Sequence, residues 1–169
     1  MSELAHFTSA ELLSYLDRLG IEQTTIHHPP VYTVAEAKRL RGSLPGANCK
    51  SLFLKNKKGR VWLVVVGEDR RVDLAKLADA LGSNRLSFAS PERLERHLGV
   101  IPGAVSPLAA VNDRAGLVTV ALAAEVLEHD VLNFHPLVND QTTAMSAADF
   151  LRFLRDTGHE PLVLAAADV

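Results

Sequence analysis

The sequence predicts an α+β domain with a mixed, largely antiparallel sheet, and three observations carry that prediction. Two apolar runs rich in branched residues, in CKSLFLKNKKGRVWLVVVGED, flank the polar, glycine-containing KNKKG and read as a hairpin. Helix-start signatures recur along the chain, at Thr8, Thr33, Asp73, Ser90 and Ser146. Strands and helices nevertheless do not alternate in the steady way of a doubly wound parallel sheet.

Taken in order, Thr8 with Glu11 has the spacing of a reciprocal cap and opens a helix over about Ser9–Arg18, which Gly20 ends. EQTTIHH has the β-branched content of a strand, and the prolines of HPPVY enforce an extended or turning backbone. Thr33 and Glu36 repeat the capping spacing before the short helix VAEAKRL. The second arm of the hairpin, VWLVVV, is apolar throughout and is expected to be buried on both faces. Asp73 caps a helix from Leu74 to Leu81, ended by Gly82, and RLSFA is a short strand. Ser90 followed by Pro91 starts the helix PERLERHL, which meets Gly99, a natural left-handed terminator. AGLVTVALA and HDVLNFH read as strands, Ser146 with Asp149 opens the helix AADFLRFLRDTG, and PLVLA closes the pattern as a strand.

With 169 residues, no internal repeat and no linker, residues 1–169 are expected to form a single domain. Hydrophobic residues make up 47% and charged residues 22%, the balance of a folded globular chain. The N-terminus carries acids early and lacks a basic start followed by an apolar stretch. No segment reaches the roughly 20 apolar residues of a membrane span, so a cytoplasmic, non-membrane protein is expected. The single cysteine, Cys49, excludes an internal disulfide and a cysteine-built zinc site. A net charge of −2 argues against indiscriminate nucleic-acid binding, yet Lys50, Lys55, Lys57, Lys58 and Arg60 cluster locally.

GxxxxGK[ST], GxGxxG, HExxH and GxSxG are all absent, which removes the simplest support for nucleotide hydrolysis, dinucleotide chemistry and common protease mechanisms. Lys50 beside Cys49 raises the question of an activated thiol. Neighbours on a strand point to opposite faces, however, so Cys49 reads as a small buried apolar residue and Lys50, by itself, as a solvated charge. His27, His28, His135 and Asp140 match no metal-ligand spacing. His135, at a strand end before proline, is either satisfied by the backbone or a pocket wall or proton-transfer group. Residues 99–107, GVIPGAVSP, hold two glycines and two prolines in nine residues. A helix stop and tight turn explain Gly99. The remainder suits a stiff loop whose main chain meets a ligand closely and at little ordering cost.

Together, HPPVYTVAEA, CKSLFLKNKKGRVWLVVV, RLSFASPERLERHLGVIPGAVSPLA and NFHPLVNDQTTAMSAADFLRFLRDTGH resemble the YbaK/ProX family of aminoacyl-tRNA editing domains, in the same order and over nearly the whole chain. The resemblance is closest to its free-standing Ala-tRNA(Pro) deacylases. It implies a curved mixed sheet flanked by helices and trans-editing, in which alanine wrongly attached to tRNA(Pro) is hydrolysed away.

Residue by residue, the resemblance gives Lys50 the role of anchoring the phosphate of the terminal adenosine, and it brings Gly103 and His135 to the aminoacyl ester. Val31, Gly99, Pro102, Ala104 and Ser106 are then the expected substrate-binding residues. Ser51 departs from the asparagine that often follows the family's lysine. No metal or other cofactor is implied, and the tRNA 2′-hydroxyl is expected to help position the attacking water. The implied partners are the acceptor end of tRNA(Pro) and prolyl-tRNA synthetase, with Lys57, Lys58 and Arg60 as an RNA footprint or simply a solvated hairpin tip. Cys-tRNA(Pro) or Ser-tRNA as substrate, and a module that binds the acceptor end or the synthetase without hydrolysis, are the competing readings.

Overall fold

A computed structural model of the chain describes residues 5–30, 33, 35–36 and 46–169. Helix α1 (Ser9–Arg18) starts as the sequence predicts: Thr8 Oγ1 accepts from the Glu11 amide, and the Glu11 carboxylate accepts from the Thr8 amide. Its Leu12 and Leu16, one turn apart, are fully buried. Strand β1 (Gln23–His27) follows. Thr33 Oγ1 accepts from the Glu36 amide at 3.1 Å; the rest of the expected VAEAKRL helix lies outside the described residues, as does Val31.

Strands β2 (Ala47–Lys55) and β3 (Val61–Gly67) form the expected antiparallel hairpin, in register from Cys49 opposite Gly67 to Lys55 opposite Val61. Asn56 locks the turn. Its amide donates to the Arg60 carbonyl, its Oδ1 accepts from the Arg60 amide, and its Nδ2 donates to Ser83 Oγ. Every residue from Val61 to Val66 is at most 2% exposed, so β3 is buried on both faces. Helix α2 (Leu74–Ala80) is capped by Asp73, strand β4 (Ser87–Phe88) is short, and helix α3 (Pro91–Leu98) is capped by Ser90. Strands β5 (Val118–Ala123), β6 (Val131–Phe134) and β7 (Gln141–Ser146) precede helix α4 (Ala147–Asp156) and strand β8 (Leu162–Leu164).

The sheet runs β1-β7-β6-β2-β3-β5-β8, with β4 beside β2. The pairs β1/β7, β6/β7, β2/β3 and β2/β4 are antiparallel, and β2/β6, β3/β5 and β5/β8 are parallel. The mixed sheet with an antiparallel majority is therefore present. Helices pack on it through aromatic contacts. Phe150 of α4 meets Phe134 of β6 with ring centroids 4.6 Å apart, and His97 of α3 meets Phe53 of β2 at 5.9 Å.

The sequence did not mark β7, because QTTAMS lacks the apolar alternation of a half-buried strand. Its threonines are buried all the same and find polar partners across the sheet, Thr143 at Thr25 Oγ1 and Thr142 at the His28 ring. Also unmarked was the wholly buried 3-10 segment Pro107–Asn112, whose apolar residues are too few to show a period.

Asp113 ends that segment in a buried network. Its carboxylate accepts from the Leu117 and Val118 amides and, at 2.8 Å, from His159 Nε2. The Thr157 hydroxyl donates to the Leu154 carbonyl and lies 2.9 Å from His159 Nδ1, so the ring bridges Thr157 and the Asp113 carboxylate. Burial pushes the Asp113 carboxyl up, but the hydrogen bonds from His159, Val118 and Leu117 outweigh it and hold the group below the usual carboxylate range. Asp113→Ala is expected to lower the unfolding free energy in urea at neutral pH by about 1–3 kcal/mol for each buried donor it leaves without an acceptor, the Val118 amide and His159 Nε2 among them. A depressed folded pKa stabilises above the unfolded value of about 3.9 and is lost as pH falls through the folded one. The gap between wild type and variant should therefore close below about pH 4.

Candidate active site

Strands β2 and β6 are parallel partners over only two residues, Ala47 opposite Leu132 and Asn48 opposite Asn133. Beyond them β2 continues beside β3 and β6 beside β7 alone, with no ladder between β2 and β6, so the strands part at their carboxyl ends. Such a parting leaves a crevice in which backbone and side chains are accessible to a ligand. A cavity of about 30 Å³ sits in it, walled by Asn48, Cys49 and Ser51 on one arm and by Asn133, Phe134 and His135 on the other. Thr142 of β7 and Val105 and Ser106 of the glycine-proline loop complete the wall. A space of that size takes about two waters, since one needs about 10–15 Å³ of room for its centre.

The loop enters from α3. Gly99 stops the helix with φ of 67°, and a Cβ there would stand 2.6 Å from the His6 ring, so conformation and contact both demand glycine. Gly103 differs. It lies within the 3-10 turn Pro102–Ala104, a backbone open to any residue, so the turn itself gives no reason for glycine. Ser106 Oγ accepts from the Leu108 amide and starts the next 3-10 segment. Asn112 then returns to the loop's origin: Nδ2 donates to the Leu98 carbonyl at 2.8 Å, and Oδ1 accepts from the Phe7 amide at 2.7 Å. The loop is thus pinned at both ends. A second hollow of about 380 Å³, lined by Gly99, Ile101, Leu137 and Asp140 among others, lies against its first residues. The loop borders both spaces, with Gly99–Ile101 on one and Val105–Ser106 on the other.

The pleat decides which side chains share a face. Asn48 pairs with Asn133, and Asn133 with Ala144, so alternation puts Asn48, Lys50, Asn133, His135 and Thr142 on one side of the sheet. Lys50 is half-buried on that side but is not part of the cavity wall, and Gly99, Pro102, Gly103 and Ala104 are not part of it either. His135 and Ser106 are. Lys57, Lys58 and Arg60 stand exposed at the hairpin turn, six or more residues along the chain from Ser51, or about 20 Å at 3.3 Å per residue. Arg60 covers the Trp62 ring at 5.0 Å, and none of the three forms a salt bridge among the described residues.

Sequence reasoning missed Asn48, Asn133 and Thr142 as wall residues, because nothing local shows which strands will part. His28, weighed only as a metal ligand, sits 6.2 Å from His135 ring to ring. Its Nδ1 meets the Pro29 carbonyl and its Nε2 meets Thr142 Oγ1, both at 2.8 Å. His135 Nδ1 donates to the Gln141 carbonyl at 2.8 Å. Among the described residues no group of three or more His, Cys, Asp or Glu side chains is placed to hold a metal, and no helix is long and apolar enough to cross a membrane.

Residues 28–153 match the family described as the aminoacyl-tRNA editing domain. A zebrafish (Danio rerio) protein named prolyl-tRNA synthetase associated domain-containing protein 1 is 41% identical over 157 residues, 92% of this chain and 85% of its own. The chain belongs to the YbaK/ProX family of aminoacyl-tRNA editing domains. The prolyl-tRNA editing protein ProX of Acetoanaerobium sticklandii is 36% identical over 149 residues, 88% of this chain and 91% of its own. A crystal structure reported as a candidate trans-editing enzyme for prolyl tRNA synthetase shares the fold with a TM-score of 0.71 at 23% identity, covering 95% of this chain and 98% of its own. Editing domains of this family are aminoacyl-tRNA deacylases.

Cys49 takes no nucleophilic part in such a site. Burial, and then the charges of Glu68 and Glu125, push its thiol up to about 12, so almost none is thiolate at neutral pH. Iodoacetamide at pH 8 is expected to alkylate the folded protein at least tenfold more slowly than the urea-unfolded chain, read by intact mass. Equal rates would show the thiol to be accessible and of ordinary acidity, and a faster rate in the folded protein would show it to be activated.

Proposed function

We propose that this editing domain removes alanine from mischarged tRNA(Pro), releasing free alanine and tRNA. The single observation that supports the specificity is the smallness of the cavity, about 30 Å³ between β2, β6 and the loop. A small side chain such as that of alanine suits so narrow a space better than the bulkier ring of proline. Exclusion by volume is needed because attraction alone distinguishes one methylene by only about 1–3 kcal/mol. The relatives named for prolyl-tRNA editing and for association with prolyl-tRNA synthetase support the acceptor end of tRNA(Pro) as substrate and the synthetase as a partner.

An aminoacyl ester is already activated, so orientation and donors aimed at the developing oxyanion can supply much of the barrier reduction without a side-chain nucleophile. In this reading Lys50 anchors the phosphate of the terminal adenosine from the face it shares with His135. The main chain at Pro102, Gly103 and Ala104 meets the ester, His135 and Ser106 bound the aminoacyl group together with Val31, and Gly99 sets where the loop begins. The 2′-hydroxyl of the tRNA assists the attacking water.

The test is deacylation of tRNA(Pro) carrying alanine, cysteine, serine or proline. Alanine should be released fastest and proline spared; turnover of cysteine or serine alone would move the specificity, and turnover of none would favour a binding module. Lys50→Ala should lose at least tenfold in kcat/KM on Ala-tRNA(Pro), and a parental rate rejects its role. Neutralising Lys57, Lys58 and Arg60 together should weaken tRNA binding. It should also flatten the salt dependence, by a slope of up to about 0.9 for each phosphate no longer neutralised, as a nitrocellulose-filter titration in rising salt would read.

A further inference from the structure

The edge of β2 that faces the cavity lacks one rung. At the two ends of its register with β3, which runs unbroken from Cys49 to Lys55, the Glu68 amide donates to the Asn48 carbonyl and the Asn56 amide to the Arg60 carbonyl, each at 3.1 Å. Main-chain groups alternate between the two edges of a strand in an antiparallel ladder, so the even-numbered residues from Asn48 to Asn56 turn theirs to β3. The odd-numbered residues turn theirs the other way, as Phe53 shows: its carbonyl accepts from the Ala89 amide at 3.0 Å. Two strands share that second edge, β6 beside Ala47 and Asn48 and β4 beside Leu54 and Lys55. Ser51 falls between them. Its N–H and C=O have no hydrogen-bond partner among the described residues, and Ser51 is part of the cavity wall. Asn48 and Asn133 reach the cavity from one face of the sheet and Cys49, Ser51 and Phe134 from the other, so it lies in the plane along which the Ser51 N–H points. A half-buried N–H without a rung is uncommon and marks a place for an acceptor.

We propose that the main-chain N–H of Ser51 donates to the carbonyl oxygen of the bound aminoacyl ester and stabilises the charge that gathers there during hydrolysis. The inference deepens the editing reading and rests on it. Water adds to the ester carbon and the π pair moves onto the carbonyl oxygen. Return of that pair expels the ribose oxygen, which leaves with one of the water's protons, and the acid formed ionises in solution. A donor fixed by β3, β4 and β6 around the vacant rung needs no reordering as the charge develops, and under that condition a single hydrogen bond changes a rate strongly. The methyl and the carbonyl of an alanyl group hang from the same α-carbon. An ester whose methyl enters the narrow space therefore brings its carbonyl oxygen to the strand edge that walls it, while the loop closes the opposite side through Val105 and Ser106.

The experiment removes that donor alone: Ser51 is replaced by its α-hydroxy analogue, which puts an ester oxygen where the N–H was. Turnover of alanyl-tRNA(Pro) is then set against the Kd of the non-hydrolysable 3′-alanylamido-tRNA(Pro). The exchange should lower kcat about a hundredfold and raise Kd no more than about threefold, because the bond strengthens only as the oxyanion forms. The same exchange at Leu52, whose N–H belongs to the β2/β3 ladder, should lower the urea midpoint further and yet leave kcat within about twofold, which separates lost catalysis from a weakened fold. A loss in kcat below about tenfold at Ser51, a loss in affinity that matches it, or an equal loss in kcat at Leu52 would overturn the proposal. A wild type that hydrolyses no mischarged tRNA(Pro) would instead overturn the editing reading, and this inference with it.

Discussion

Two parallel strands that pair for only two residues must separate, because each continues into an antiparallel partner on its own side. In this chain β2 pairs with β3 from Cys49 onward, while β6 stays beside β7 from Val131 to Phe134, and no ladder joins β2 to β6 past the Asn48–Asn133 pair. A sheet that splits in this way exposes main chain and half-buried polar side chains which an intact ladder would occupy. The fold closes the split with the Val105–Ser106 stretch and with Thr142, and what is left is a small space of about 30 Å³. The rest of the architecture holds those walls still. A fully buried β3 anchors one arm, and stacking of Phe134 on Phe150 fixes the other to α4.

The glycine-proline loop is held by its surroundings more than by its own composition. Asn112 ties the end of the 3-10 segment back to the Leu98 carbonyl, and Asp113 ties the same point to β5 and to His159. A segment fastened at both ends and stiffened by Pro102 and Pro107 loses little entropy when a ligand binds. Hydrolysis of an activated ester by orientation needs that property, since donors that must first be ordered cannot be pre-aimed at a developing charge.

Much of this was readable from local patterns. The Thr8–Glu11 box, the Ser90–Pro91 start and the Gly99 stop each act within one helical turn, so their residues sufficed to place α1 and α3. The hairpin announced itself through two apolar arms around a polar turn. Strand β7 did not: its threonines are buried because β1 and β6 supply hydroxyl, imidazole and backbone partners, and those partners are distant in sequence. The same reason hid Asn48, Asn133, Thr142 and His28 as site residues, whereas His135 stood out by its position at a strand end before proline.

The sequence by itself determined most of the elements, their caps, the stiffness of GVIPGAVSP and, through its ordered motifs, membership of the editing family, because these depend on short-range conformational preferences and on residues read in order along the chain. Only the tertiary structure decided where the two parallel strands part, how large a space remains between them, and which polar side chains line it. Those properties are set by strand register and by hydrogen bonds between residues more than a hundred positions apart, such as His28 and Thr142. No local pattern carries that information, since the partner that meets Thr142 lies so far away along the chain.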